Sequence, residues 1–177
     1  MDGRTAPGRE PAAMTEPLWL SVARMTVGIS EIPGAASNAV ILQWGKDIGA
    51  PAFTNDDTPW CAVWFNRLML ACQIQMAGTG YELLRAKSVE TWGQACPRTL
   101  GAVQVFKRPG GYHVGLYLGE KRDAYLVLGG NTGNTVAPAW IFKDRLTATR
   151  WPAPLALPSY KPVLLTDHGE PLSTNEA

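Results

Sequence analysis

From Leu18 onward, apolar residues return at helical intervals. Leu18, Trp19, Val22 and Ala23, with Thr26 in the same series, fall on one side of a 3.6-residue period, and Gly28 stands where such a helix would close. A second stripe runs through Ile41, Trp44 and Ile48, with Ser37 as its predicted cap and Gly49 as its stop. A third follows Thr58-Pro59, which reads as an N-cap and a proline at the first helical position. It carries Ala62, Phe65, Met69 and Cys72 on one face, which puts Cys61 in its first turn. A fourth helix is predicted within 81–96, stopped by Pro97. After residue 100 the period changes to two, and strands are predicted at 102–106, 113–118, 125–128 and 146–151. Helices first and strands second predict an α+β domain with N-terminal helices packed on an antiparallel sheet. That order sets a thiol at a helix N-terminus against an imidazole at a sheet edge.

The ends lack such periodicity. Residues 1–15 are rich in Pro, Gly, Arg and Ala and predict a disordered leader; 16–153 is the expected folded domain; 154–177, proline-rich and then polar, is expected to be a tail outside the core. On this reading a 16–153 fragment unfolds at nearly the midpoint of the whole chain.

Composition narrows the classes. A chain of 177 residues with 46% apolar content suits one domain with a real core. Sixteen basic against fifteen acidic residues, a net charge of +1, argue against a nucleic-acid partner. The N-terminal stretch has no apolar run of the secretory kind, and no later stretch has the length of a membrane span. The expectation is synthesis in the cytoplasm without a signal peptide. A substrate beyond the membrane is then reached after lysis, on a phage particle or through specialised secretion machinery. Cysteines stand only at 61, 72 and 96, an odd number without CxxC spacing, which argues against a disulfide framework and a zinc site. No cofactor and no metal ligand set are predicted.

A thiol in the first turn of a helix meets unsatisfied backbone N–H groups and the positive end of the helix dipole, which favour a thiolate and suit an oxyanion. Cys61 is therefore the candidate nucleophile, against the ordinary alternative of a small core residue. Cys72 and Cys96 read as packing residues. His113 is the one histidine of the expected domain, since His168 falls in the tail; it opens a strand directly after Arg108-Pro109-Gly110-Gly111 and is the candidate base. If even positions of 113–118 and 125–128 face the core, the register that sets Leu116 opposite Leu128 also sets His113 opposite Asn131, about 5 Å apart at Cβ. Asn131 would then accept the imidazole N–H and fix the tautomer. Other registers keep the same faces, and Gly129-Gly130-Asn131-Thr132-Gly133-Asn134 reads equally as a simple turn. Asp57, Glu31 and Trp60 are candidate substrate contacts, the carboxylates for amine groups and the indole for a sugar or peptide groove. Helix-start capping accounts equally for Asp57, and packing is the reading for Trp64.

Four stretches resemble a known superfamily in order. Residues 56–66 (DDTPWCAVWFN) and 110–119 (GGYHVGLYLG) resemble the two halves of the CHAP and NlpC-type amidase and peptidase superfamily. Residues 125–131 (YLVLGGN) and 31–34 (EIPG) are similar to its phage-associated branch. The resemblance spans roughly 18–151. It implies a papain-like fold, Cys61 as nucleophile, His113 as base, a third polar residue that Asn131 matches, and hydrolysis of peptidoglycan amide bonds. Several relatives carry an acidic third residue, and this chain offers none on that strand. A lysis enzyme, a particle-borne wall-piercing enzyme or an interbacterial effector with an immunity protein as partner all fit. The alternatives are a papain-like acyltransferase or deamidase acting on proteins, or an inactive wall-binding module.

Overall fold

The computed structural model describes residues 16–34 and 36–169; the expected leader, 1–15, lies outside the described residues. Three helices precede the sheet: α1 (Leu18–Arg24), α2 (Ala39–Asp47) and α3 (Cys61–Ala71). The six strands are β1 (Gln94–Ala95), β2 (Val103–Arg108), β3 (Gly111–Glu120), β4 (Ala124–Thr132), β5 (Thr135–Phe142) and β6 (Leu146–Trp151). They form one antiparallel sheet in the order β1-β6-β2-β3-β4-β5. The chain is thus a mixed α and β domain with helices before an antiparallel sheet. Among the described residues no helix is long and apolar enough to cross a membrane.

α3 is the central helix. Ala62, Val63, Trp64, Phe65, Leu68 and Met69 are all buried, more than a single stripe, because α1 and α2 cover one side of the helix while β3 and β4 cover another. Asn66 is buried with them and fully used: its amide donates to Leu83 O (2.9 Å) and its carbonyl accepts Ala77 N–H (2.8 Å). It ties α3 to the connection leading into the sheet. α2 is capped by Asn38, whose side chain accepts the Val40 N–H at 2.9 Å, rather than by Ser37 one residue earlier. Gly49 follows it with a φ of 72°, as the stripe predicted.

Three differences from the pattern have physical causes. Within 81–96 two 3-10 turns, Gly80–Leu84 and Ala86–Thr91, replace the expected α-helix. The apolar residues Leu83, Ala86, Val89 and Trp92 recur every third position, the 3-10 period rather than the α period. β5 escaped prediction because Pro138 interrupts its run. It is an edge strand, where a missing N–H is tolerated. The sheet is also buried on both faces, since Tyr117 and Val127 are as buried as Leu116 and Leu128. The odd positions are therefore not a solvent face.

The expected tail boundary at 154 needs correction over 163–165. Leu164 bridges Glu120 in parallel, Glu120 N–H donates to Val163 O (2.7 Å), Leu165 N–H donates to Glu120 O (2.9 Å) and Leu165 is buried. Beneath this strap the buried Glu120 carboxylate accepts from Lys143 Nζ (3.0 Å) and from the Tyr117 hydroxyl (3.0 Å), with Arg98 Nε at 3.4 Å. The Tyr117 oxygen in turn accepts Val163 N–H at 3.1 Å. Deleting 160–177 removes the buried Leu165 side chain, whose burial is worth about 2 kcal/mol, and uncovers the buried carboxylate cluster of Glu120. Thermal unfolding of 1–159 is expected roughly 5–10 °C below the full chain; an unchanged midpoint would restore this segment to the status of a tail.

Candidate active site

α3 begins two residues later than Thr58-Pro59 suggested, with Trp60 as its N-cap and Cys61 as its first residue. Thr58 turns back instead, its N–H and hydroxyl both donating to Asn55 Oδ1 at 3.1 and 3.0 Å. The N-cap Trp60 makes no side-chain cap bond; of the first N–H groups of α3, those of Cys61 and Ala62 face the Cys61 sulfur. The loop before α3 is fixed by Asp56, which is buried and accepts Asn38 N–H at 2.7 Å and Ile32 N–H at 3.3 Å through Oδ2. Burial works to raise the Asp56 pKa, but these N–H groups prevail and hold it below the usual carboxylate range.

The same clamp presents Glu31. Ser30 bridges Thr135, and Glu31 N–H donates to Asn134 O at 2.9 Å, so the loop after α1 lies beside the turn joining β4 and β5. The Trp60 indole N–H donates to Glu31 Oε1 at 2.8 Å. Trp60 itself is wholly buried, its ring tilted on Trp44 at 5.9 Å. It is a support beneath the cleft rather than a wall of the groove, because its ring fills the gap between α2, α3 and β4. Trp64 is likewise buried and donates to Thr26 Oγ1 at 3.0 Å.

β2 and β3 form a hairpin in which Pro109-Gly110 is the turn; Gly110 supplies a φ of 76° and Arg108 pairs with Gly111. His113 follows on β3 opposite Phe106. β4 closes on it through two glycines. A Cβ at Gly129 would stand 2.5 Å from His113 Nε2, and one at Gly130 would stand 2.6 Å from Trp64 Cβ. Only glycines let β4 approach both the imidazole and α3.

The expected register is observed at Leu116–Leu128 and Tyr117–Val127. The β3–β4 ladder ends there and does not reach His113 and Asn131, and β4 is irregular against β5 between Gly129 and Thr132. Asn131 takes a left-handed φ of 55°, which asparagine tolerates. Within the Gly-Asn run, Gly129 and Thr132 pair with β5 and 133–134 form the turn into it; the β3–β4 ladder that would set His113 opposite Asn131 ends at Leu116–Leu128.

Cys61, His113 and Asn131 nonetheless line one cleft, of about 400 Å³, together with Glu31, Asp57, Pro59, Arg108 and Asn134. Of the six residues singled out, five meet there and Trp60 lies beneath. Among the described residues the imidazole has no side-chain hydrogen bond to Asn131, so the orienting contact is not part of this structure. Arg108, Asn134 and Pro59 were missed. A signal for Arg108 existed in its place at the foot of the hairpin that delivers His113.

Burial pushes the Cys61 thiol above its ordinary value, against the Val114 N–H, the Arg108 guanidinium and the N–H groups of Ala62 and Cys61 itself. Burial, then Arg108 and Arg145, push the His113 imidazole down to about 4. At neutral pH the pair is therefore thiol and neutral imidazole, an acid and an unprotonated base, rather than a preformed ion pair. Burial also raises the other two thiols, Cys96 to about 11 and Cys72 in the same direction. Neither lines the cleft, and His168 is exposed outside it.

The His113 value has a stability consequence. Between an unfolded value of about 6.5 and a folded value of about 4, the unfolded chain binds the proton and the native chain does not. Stability is full above about pH 6.5 and is lost as pH falls toward 4, by up to about 3 kcal/mol. Urea unfolding of wild type and His113→Asn across this window should show the wild-type slope and its loss in the variant. Equal slopes would mean that the imidazole charges freely in the native state.

Comparison with known proteins adds no family: no family model matches this chain, and no curated protein matches it.

Proposed function

We propose that the chain is a papain-like cysteine hydrolase, of the CHAP and NlpC-type superfamily, that cleaves an amide bond of bacterial peptidoglycan. The observation that carries this reading is that one cleft joins an uncapped helix N-terminus bearing a thiol to a strand bearing a neutral imidazole. His113 takes the Cys61 proton as sulfur attacks the amide carbonyl. The oxyanion forms where the first N–H groups of α3 lie. The imidazolium returns the proton to the leaving amine, which departs and leaves a thioester on Cys61. Water, deprotonated by His113, then releases the acid and restores the thiol.

In this scheme Asn131 orients the imidazole once substrate settles the cleft. The resemblance of 31–34, 56–66, 110–119 and 125–131 to this superfamily is what directs the reading to wall amides. A lysis, particle-borne or effector setting brings the enzyme to that substrate, and an immunity protein, phage particle or secretion apparatus is the corresponding partner.

The test is clearance of purified cell walls, with mass spectrometry of the soluble fragments. New amine and carboxyl termini at a sugar-to-alanine, stem or cross-link amide are expected. Intact walls, or fragments cut only at glycosidic bonds, would refute the reading.

A further inference from the structure

The cleft that holds Cys61 and His113 also holds two carboxylates, Glu31 and Asp57, and one guanidinium, Arg108. Opposite charges in so small a space ordinarily pair with each other. Here they do not: among the described residues the ion pairs join Arg24 to Glu16, Arg67 to Asp47, Arg98 and Lys143 to Glu120, and Lys121 to Asp167. Each of two cleft charges is instead held by a single neutral partner. Arg108 Nε donates to Tyr112 O at 3.2 Å, which leaves its terminal nitrogens as donors. Glu31 Oε1 accepts the Trp60 indole N–H at 2.8 Å, which leaves Oε2 as an acceptor. A guanidinium aimed by its own Nε presents the two-pronged donor set that matches a carboxylate.

Resting on the cysteine-hydrolase reading above, we propose that Arg108 determines specificity by binding a carboxylate near the scissile amide while Glu31 and Asp57 take an ammonium group, so that the substrate is a peptide bearing both charges. The arrangement has a second effect. In this structure Arg108, together with Arg145, disfavours an imidazolium at His113. A carboxylate on Arg108 offsets that charge and makes the base stronger only when the matching peptide is bound. Glu31 and Asp57, engaged by an ammonium group, are then not free to do the same. A peptide without the carboxylate therefore both binds less tightly and meets a weaker base.

Binding separates this proposal from hydrolysis. Folded Cys61→Ala protein is titrated calorimetrically with L-alanyl-γ-D-glutamyl-L-lysine, with the same peptide amidated at both carboxylates, and with the same peptide acetylated at both amines. Amidation is expected to weaken binding about 10- to 100-fold, as for loss of a charge-assisted hydrogen-bond pair. In Cys61→Ala/Arg108→Gln the acid and the amide should bind alike, and Arg108→Lys should keep part of the preference. Glu31→Gln should remove most of the effect of acetylation and leave that of amidation. A preference that survives Arg108→Gln, or no binding of any charged peptide, overturns the proposal. L-Alanyl-L-glutamyl-L-lysine is the control for the wall reading: equal binding with the same Arg108 dependence supports the charge recognition and counts against a wall substrate. Wall clearance by wild type without any Arg108-dependent preference sinks the recognition alone.

Discussion

Cys61→Ser and His113→Ala are each expected to lower the rate of wall hydrolysis by at least about a thousandfold, and the double variant is expected to be no worse than either single one. Nucleophile and base act as one unit, because the thiol is protonated at neutral pH and has no reactivity until the imidazole takes its proton. A serine in the place of Cys61 has a far higher pKa and cannot be activated by so weak a base. Asn131→Ala should cost less, roughly tenfold to a thousandfold, the range for loss of an orienting or polarising group. Initial clearance rates for wild type and the four variants at equal folded concentration decide this. Losses that multiply in the double variant would mean that the two residues act in separate steps.

The second large effect concerns the paired glycines of β4. Gly130→Ala is expected to lower stability by about 3 kcal/mol, at the upper end of overpacking. The new methyl would meet Trp64 Cβ at 2.6 Å and Cγ at 2.8 Å, and Trp60 Cζ3 at 2.9 Å. Neither indole can yield cheaply, since each is buried and its N–H is held, by Thr26 and by Glu31. Gly129→Ala points its methyl at the imidazole instead, 2.5 Å from Nε2 and 3.0 Å from Cε1. Its loss should appear in turnover, by a hundredfold or more for a displaced catalytic group, with a smaller loss of stability because the ring borders the cleft. Urea unfolding and wall clearance measured on both variants should show these opposite emphases. Equal losses of stability and activity in the two would mean that β4 moves as a whole.

Helix periodicity made much of this legible. The stripes through Trp19, Ala23, Ile41, Trp44 and Met69 are core residues in the structure, because a surface helix must bury one face and its sequence records which. Cys61 at the head of α3 was legible for the same reason, and His113 because the change of period after residue 100 announces the sheet. Arg108 left only the weaker signal of its place at the foot of the His113 hairpin. An arginine beside a turn looks solvated until the cleft next to it is known. Trp60 was misplaced, since an aromatic next to a nucleophile carries no mark of whether its ring points into the cleft or under it. The strap at 163–165 was hidden by brevity: one buried leucine and a parallel bridge give no period to read. The His113–Asn131 contact depended on a β3–β4 ladder that ends at Leu116–Leu128. A positive φ at Asn131 is foreseeable as a tendency of the residue type, not as a position.

If Cys61 is the nucleophile, Cys72 and Cys96 are internal controls for its modification. The protein is treated with iodoacetamide at mildly alkaline pH for increasing times. Each sample is assayed for wall clearance, and the modified fraction at each cysteine is then read by peptide mass mapping. Residual activity is expected in proportion to unmodified Cys61 and independent of modification at Cys72 or Cys96. Full activity in protein whose Cys61 is wholly alkylated would contradict it.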